Sequence, residues 1–87
     1  MPTTANKYKT ARDKGAPLWC KILDEQKVES YLSIVLAENY DDYVCWWFNH
    51  QDGGFFWGHY FRKDCAENAE ALARADFDER VQKNNRL

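Results

Sequence analysis

Cysteine is scarce in this chain: Cys20, Cys45 and Cys65 make an odd count, and no CxxC pair occurs. That pattern argues against a disulfide framework and places the chain most simply in a reducing cytoplasm. Long apolar runs are missing too. Nothing approaches the ~20 residues that cross a bilayer, and Met1–Lys14 lacks the apolar stretch of a secretory signal. The sequence therefore predicts no membrane association. A strong excess of one charge is also lacking, since the formal net charge is −2 over 87 residues. A general nucleic-acid binder needs a basic body to neutralise phosphates, and a DNA mimic would be far more acidic. Repeats, low-complexity tracts and phosphate-binding loops are absent from the sequence.

What the chain has in quantity is aromatic surface: four Trp, five Tyr and five Phe. A chain of this length makes one domain and buries only about 60–65% of its unfolded surface. Its core must be dense, and each large aromatic buries ~150–250 Å². Charge is unevenly placed. Residues 1–15 carry Lys7, Lys9, Arg12 and Lys14 against Asp13, whereas residues 16–61 are acidic and 62–87 are balanced. The polar, basic stretch 1–15, closed by Gly15-Ala16-Pro17, reads as a flexible leader. Residues 16–87 read as a single α+β domain.

Within that domain, alternation predicts a first strand over Leu18–Leu23 and a turn at Asp24–Lys27. Val28–Ala37 fits a helical stripe as well as a strand. The β-branched Ile34-Val35 pair favours the strand. Asn39–Asp42 is a turn whose side chains bond their own backbone. Tyr43–His50 and Phe55–Phe61 are strands joined by Gln51-Asp52-Gly53-Gly54, and the glycines supply the positive φ that a tight hairpin requires. A helix follows over Cys65–Lys83. Asp64 stands at the N-cap with Glu67 completing a capping box, and Ala66, Ala69, Leu72, Ala73, Phe77 and Val81 form an alanine-rich stripe. The expected architecture is an antiparallel sheet of about four strands with this C-terminal helix packed on one face.

The hairpin breaks the alternation of a half-buried strand. Val44, Trp46 and Phe48 lie on one side of the third strand, and Tyr43, Cys45 and Trp47 on the other. The fourth strand is aromatic on both sides as well. One helix covers one face, and the sequence does not say which. The second face needs the N-terminal segment, a second copy of the chain, or a partner. Exposed aromatic patches mark interaction sites, and Trp, Tyr and Phe are enriched in interface cores.

The candidate binding residues are accordingly Trp46, Trp47, Trp57 and Tyr60, with Glu38, Asp41, Asp42 and Asp52 as an acidic rim that adds on-rate and specificity. Other chemistry fits less well. Cys45, His50, His59 and Cys65 include zinc-ligand types, but their spacings match no common finger. Asp41, Asp42, His50 and His59 could move protons, but no nucleophile is paired with a base in the sequence pattern. Neither a catalytic residue nor a cofactor is assigned.

Gly53-Gly54-Phe55-Phe56-Trp57-Gly58-His59-Tyr60-Phe61, followed by Ala71-Leu72-Ala73-Arg74-Ala75-Asp76-Phe77-Asp78-Glu79-Arg80, resembles small proteins of phages and mobile elements of the anti-CRISPR-like type. The likeness covers roughly residues 42–81 and carries over no functional residue. It implies a non-enzymatic protein that binds and blocks a host defence nucleoprotein complex, such as a CRISPR effector. Two alternatives remain open. One is a single-stranded nucleic-acid module that stacks bases on the aromatic sheet. The other is a homodimeric structural or accessory protein.

Overall fold

A computed structural model describes residues 6–17, 20–65 and 67–87. The elements are α1 (Ala11–Lys14), β1 (Lys21–Glu29), β2 (Leu32–Glu38), β3 (Asp42–Asn49), β4 (Phe55–Arg62) and α2 (Ala69–Asn84). The strands form one antiparallel sheet in the order β1-β2-β3-β4. With α2 packed across it, this is the α+β arrangement that the patterning predicts.

The differences lie in boundaries. Asp24–Lys27 is not a turn, because β1 runs straight through it to Glu29, and the turn falls at Ser30-Tyr31. Polar residues are tolerated there because β1 is an edge strand. Asp24 meets Arg74 at 3.1 Å, and Glu25 accepts the backbone N–H groups of Ala11 and Arg12. Leu18 and Trp19, assigned to the first strand, lie outside the described residues. The turn at Asn39–Asp41 forms as its chemistry predicts: Asn39 Oδ1 accepts from the amides of Asp41 and Asp42.

The helix starts later than the capping box suggests. Its N-cap is Asn68, whose side chain makes no capping bond. Asp64 instead holds the Arg62 guanidinium through two contacts of 3.0 and 3.1 Å. A charged, two-pronged partner two residues away outcompetes a single backbone amide. Ala69, Ala73 and Phe77 are buried as the stripe predicts, and Val81 packs beside them. Leu72 lies on the outer side of the helix and is exposed.

Each sheet face has its own core. Ile34, Leu36 and Cys45 pack with Val28 under Ala73 and Phe77 of α2. The small alanines let the helix approach, and Phe77 fills the space between. Burying that one ring is worth ~1.5–3 kcal/mol. On the opposite face Val35 and Phe48 pack with Ala11, and Ala37 and Val44 pack with Trp46.

The cover on this second face comes from the N-terminal segment, so the described part of the supposed leader, from Asn6 to Gly15, is fastened to the domain. The Tyr8 amide donates to the His50 carbonyl at 3.0 Å. Ala11 is fully buried. Thr10 caps the single turn of α1 by accepting from the Asp13 amide at 3.0 Å. A sequence reading sees a mostly polar stretch here. Backbone bonds, buried Ala11, the Tyr8 ring against Phe48 at 6.5 Å and the Glu25 carboxylate on the α1 amides hold the segment, and composition does not report these contacts.

Candidate functional site

The site grows from an irregularity in β4. Phe48 pairs with Phe55 and Trp47 with Phe56, but beyond a register shift Cys45 pairs with His59 and Val44 with Tyr60. Two residues, Trp57 and Gly58, therefore stand opposite Trp46 alone, which makes a β-bulge. Gly58 permits it. A Cβ at position 58 would lie 2.6 Å from Trp46 Nε1, so the indole occupies the room a side chain would need. Trp46 is packed between Phe55 and Tyr60, with ring centroids at 5.1 and 6.2 Å, and is only 7% exposed.

Trp57 takes the cost of the bulge. Its φ is +52°, the one positive value outside glycine among the described residues. Holding a bulky residue there costs ~1–3 kcal/mol, and the surrounding structure must enforce it. The enforcement comes from α2. Arg80 Nη1 donates to the carbonyls of Trp57 at 2.9 Å and Cys45 at 3.2 Å. The guanidinium thus stands where the bulge interrupts the strand ladder. Asp76 steadies it from the same helix, 3.5 Å from Arg80 Nε, and also meets His59 Nδ1 at 3.0 Å.

The result is an outward-aimed indole. Trp57 is 72% exposed although it touches two other rings. It meets Trp47 edge-on at 6.2 Å and Phe56 at 5.2 Å, and Trp47 stacks with Phe56 at 6.2 Å. On the other face Tyr60 is 59% exposed beside the buried Trp46.

The candidate residues thus separate into groups. Trp57 and Tyr60 are exposed, Trp47 is half-buried and Trp46 belongs to the core. Trp46 and Tyr60 share one face, while Trp47 lies on the α2 face. The acidic rim also divides. Glu38, Asp41 and Asp42 gather at the β2–β3 turn, and Asp52 sits at the opposite end of β3, roughly 25 Å away at ~3.3 Å per residue. Glu38 is bound to Lys63 at 2.6 Å, and the neighbouring ammonium holds its carboxyl below the ordinary value. Asp52 accepts the Gly54 amide at 2.7 Å and so serves the turn. Asp41 is exposed, and Asp42 is partly buried.

The two outer strands of the sheet differ sharply. Five of the nine residues of β1 are charged, and Val28 accepts the Arg86 amide from the C-terminal segment. Charges and covering segments are ordinary protection for a sheet edge. In β4 only Arg62 carries a permanent charge, and its outer side has no neighbouring strand among the described residues.

Phe56, Gly58 and Arg80 escape a reading by residue type. Only Gly58 left a signal, because an isolated glycine inside an aromatic strand marks a bulge or a close approach. Ser33 and His50 also escape it. Ser33 Oγ lies 2.6 Å from His50 Nε2, and His50 Nδ1 lies 2.9 Å from the Tyr8 carbonyl. A carbonyl can only accept, so Nδ1 carries the proton and Nε2 accepts from the Ser33 hydroxyl. Both side chains are 1% exposed. This nucleophile–base contact therefore lies inside the domain, where it fastens the N-terminal segment. Cys45 is a packed thiol, and burial pushes it up to about 12. His50 points away from Cys45, and no group of three or more His, Cys, Asp or Glu among the described residues is placed to hold a metal. A shallow cleft at the start of α2 is lined by Tyr43, Lys63, Glu67, Ala69 and Glu70. No helix among the described residues is long and apolar enough to cross a membrane.

No family model matches the chain, and no curated protein or solved structure matches it either.

Proposed function

We propose that this chain is a non-enzymatic protein-binding module that docks through the bulged outer strand β4, with Trp57 and Tyr60 as its anchors. One observation carries the reading: a tryptophan is held in an unfavourable backbone conformation, clamped by a helix arginine, and left facing water. A bulge re-aims a side chain, and strain retained at an exposed aromatic contributes nothing to the core. Trp and Tyr are also the residue types on which interface energy concentrates. Trp47 and Phe56 form the partly buried floor beneath the Trp57 anchor. Asp41 and Asp42, at the end of β3 where β4 finishes, form the acidic margin.

The resemblance to small phage and mobile-element proteins supplies a context. In it the target is a host defence nucleoprotein complex such as a CRISPR effector, and the carboxylates meet basic groups that ordinarily hold phosphates. A plating assay tests the reading. Expression of the chain in a CRISPR-immune host should restore plaques of a targeted phage, and Trp57→Ala with Tyr60→Ala should abolish the restoration at equal protein level. Equal restoration by the variant would remove β4 as the docking surface.

A further inference from the structure

We infer that residues 6–15 form a strap that opens and closes as one unit over the sheet face away from α2, while the sheet and α2 stay folded. The sheet is complete without this segment. The four strands pair with one another, and the strap adds no strand to them. Among the described residues, the Tyr8 amide on the His50 carbonyl is the one backbone–backbone bond that joins it to the rest of the domain. The other polar fastenings use side chains. The Asn6 amide group donates to the Ser30 carbonyl at 2.8 Å. The His50 ring donates to the Tyr8 carbonyl. The Glu25 carboxylate takes the Ala11 amide on one oxygen at 2.8 Å and the Arg12 amide on the other at 3.3 Å, with the Arg12 guanidinium 3.5 Å away. Glu25 is therefore the latch, since α1 engages both of its oxygens.

The chemistry of these fastenings lets them release. Opening leaves no polar group buried without a partner. Ser33 and His50 keep their bond to each other. Water replaces the Tyr8 carbonyl on His50 Nδ1, and Glu25, on an edge strand, rehydrates. Little apolar cover opposes this. Ala11 lies over Val35 and Phe48, and the half-buried Tyr8 ring leans on Phe48 and on Gly53, where a Cβ would lie 2.7 Å from the ring. A segment with few buried apolar contacts opens well below the free energy of global unfolding. Opening uncovers Val35 and Phe48 next to Phe55, which packs against the Trp46 beside Tyr60. The strap thus sets how much apolar surface adjoins Tyr60, a consequence that rests on the docking role proposed for that residue.

Native-state hydrogen exchange of the intact chain, followed by NMR in low urea, tests this. The amides of Tyr8, Ala11, Arg12 and Gly15 should share one protection factor, at least about a hundredfold below those of β2 and β3. It should barely depend on urea, because opening the strap exposes little surface. Glu25→Gln removes the charge from the latch bonds, so protection of all four amides should fall together by about tenfold. Tyr8 is the decisive probe, because no Glu25 bond reaches it. Ala11→Gly, which removes the buried methyl and leaves Glu25 in place, should lower the same four and leave β2 and β3 unmoved. Strap amides as well protected as β2 and β3 overturn the inference. So does a fall at Ala11 and Arg12 with Tyr8 unchanged in Glu25→Gln. Neither result bears on the plating outcome for Trp57 and Tyr60, so the two readings fail separately.

Discussion

Replacing Arg80 with methionine removes the clamp on the bulge while keeping much of the apolar stem. Two carbonyls, of Trp57 and Cys45, lose charge-assisted donors, each worth ~1.5–3 kcal/mol. The Arg80 side chain is only 11% exposed, so solvent screening reduces this little. Relaxation of the Trp57 backbone returns ~1–3 kcal/mol, and water can reach part of the opened site. The net expected loss is about 1–3 kcal/mol, against a total of about 4–13 kcal/mol for a chain of this length. With a urea slope near ~1 kcal/mol/M, the midpoint should fall by about 1–3 M. Arg80→Lys should fall between, because an ammonium lacks the planar fork that Arg80 sets against the two carbonyls. The Trp57 indole N–H resonance should also move toward that of a mobile side chain in Arg80→Met. A midpoint within ~0.3 M of the parent, with an unmoved Trp57 resonance, would refute the claim that Arg80 holds the bulge.

Other outcomes follow from the same geometry. Gly58→Ala drives a Cβ into the Trp46 indole, so overpacking should cost ~1–3 kcal/mol by urea unfolding and expose Trp46 to fluorescence quenchers. In the native protein at pH 8, a thiol reagent should label the exposed Cys65 quickly. Cys45, buried and raised to about 12, should react only at the unfolding rate. The Lys63 ammonium lowers the folded-state value of Glu38, so this pair stabilises the domain above the unfolded carboxyl value. Its contribution is lost as pH falls through the lowered one, below ~4. Lys63→Met should therefore lower stability slightly at neutral pH and flatten the acid limb, so that the loss disappears at low pH while the slope above pH 6 does not change.

The four strands and the helix are legible in the sequence wherever a local rule governs them. Asp52-Gly53-Gly54 makes the turn, with Gly53 at φ +78°, and Ala69, Ala73 and Phe77 keep helical spacing. β1 runs on past the turn expected at Asp24–Lys27 because an edge strand accepts those polar residues at no cost to a core. The site was legible only in outline. Aromatic residues on both faces of the hairpin announced surplus surface, but residue type could not say that Trp46 is enclosed while Trp57 faces water. That sorting comes from one extra residue in β4, which reverses the faces beyond it. The clamp joins Arg80 to positions 23 and 35 residues earlier, a separation that no local pattern reports.

The most direct measurement immobilises a purified CRISPR effector complex, the proposed target, and compares the yield of three tagged proteins on it at equal concentration. They are the parent, Trp57→Ala, and Tyr40→Ala as a control, since Tyr40 is 90% exposed in the β2–β3 turn, away from the bulge. The account predicts that Trp57→Ala lowers the yield at least about tenfold, as loss of an interface anchor does, and that Tyr40→Ala leaves it at the parent level. Retention by Trp57→Ala equal to the parent would contradict the claim that the bulge exists to present this indole.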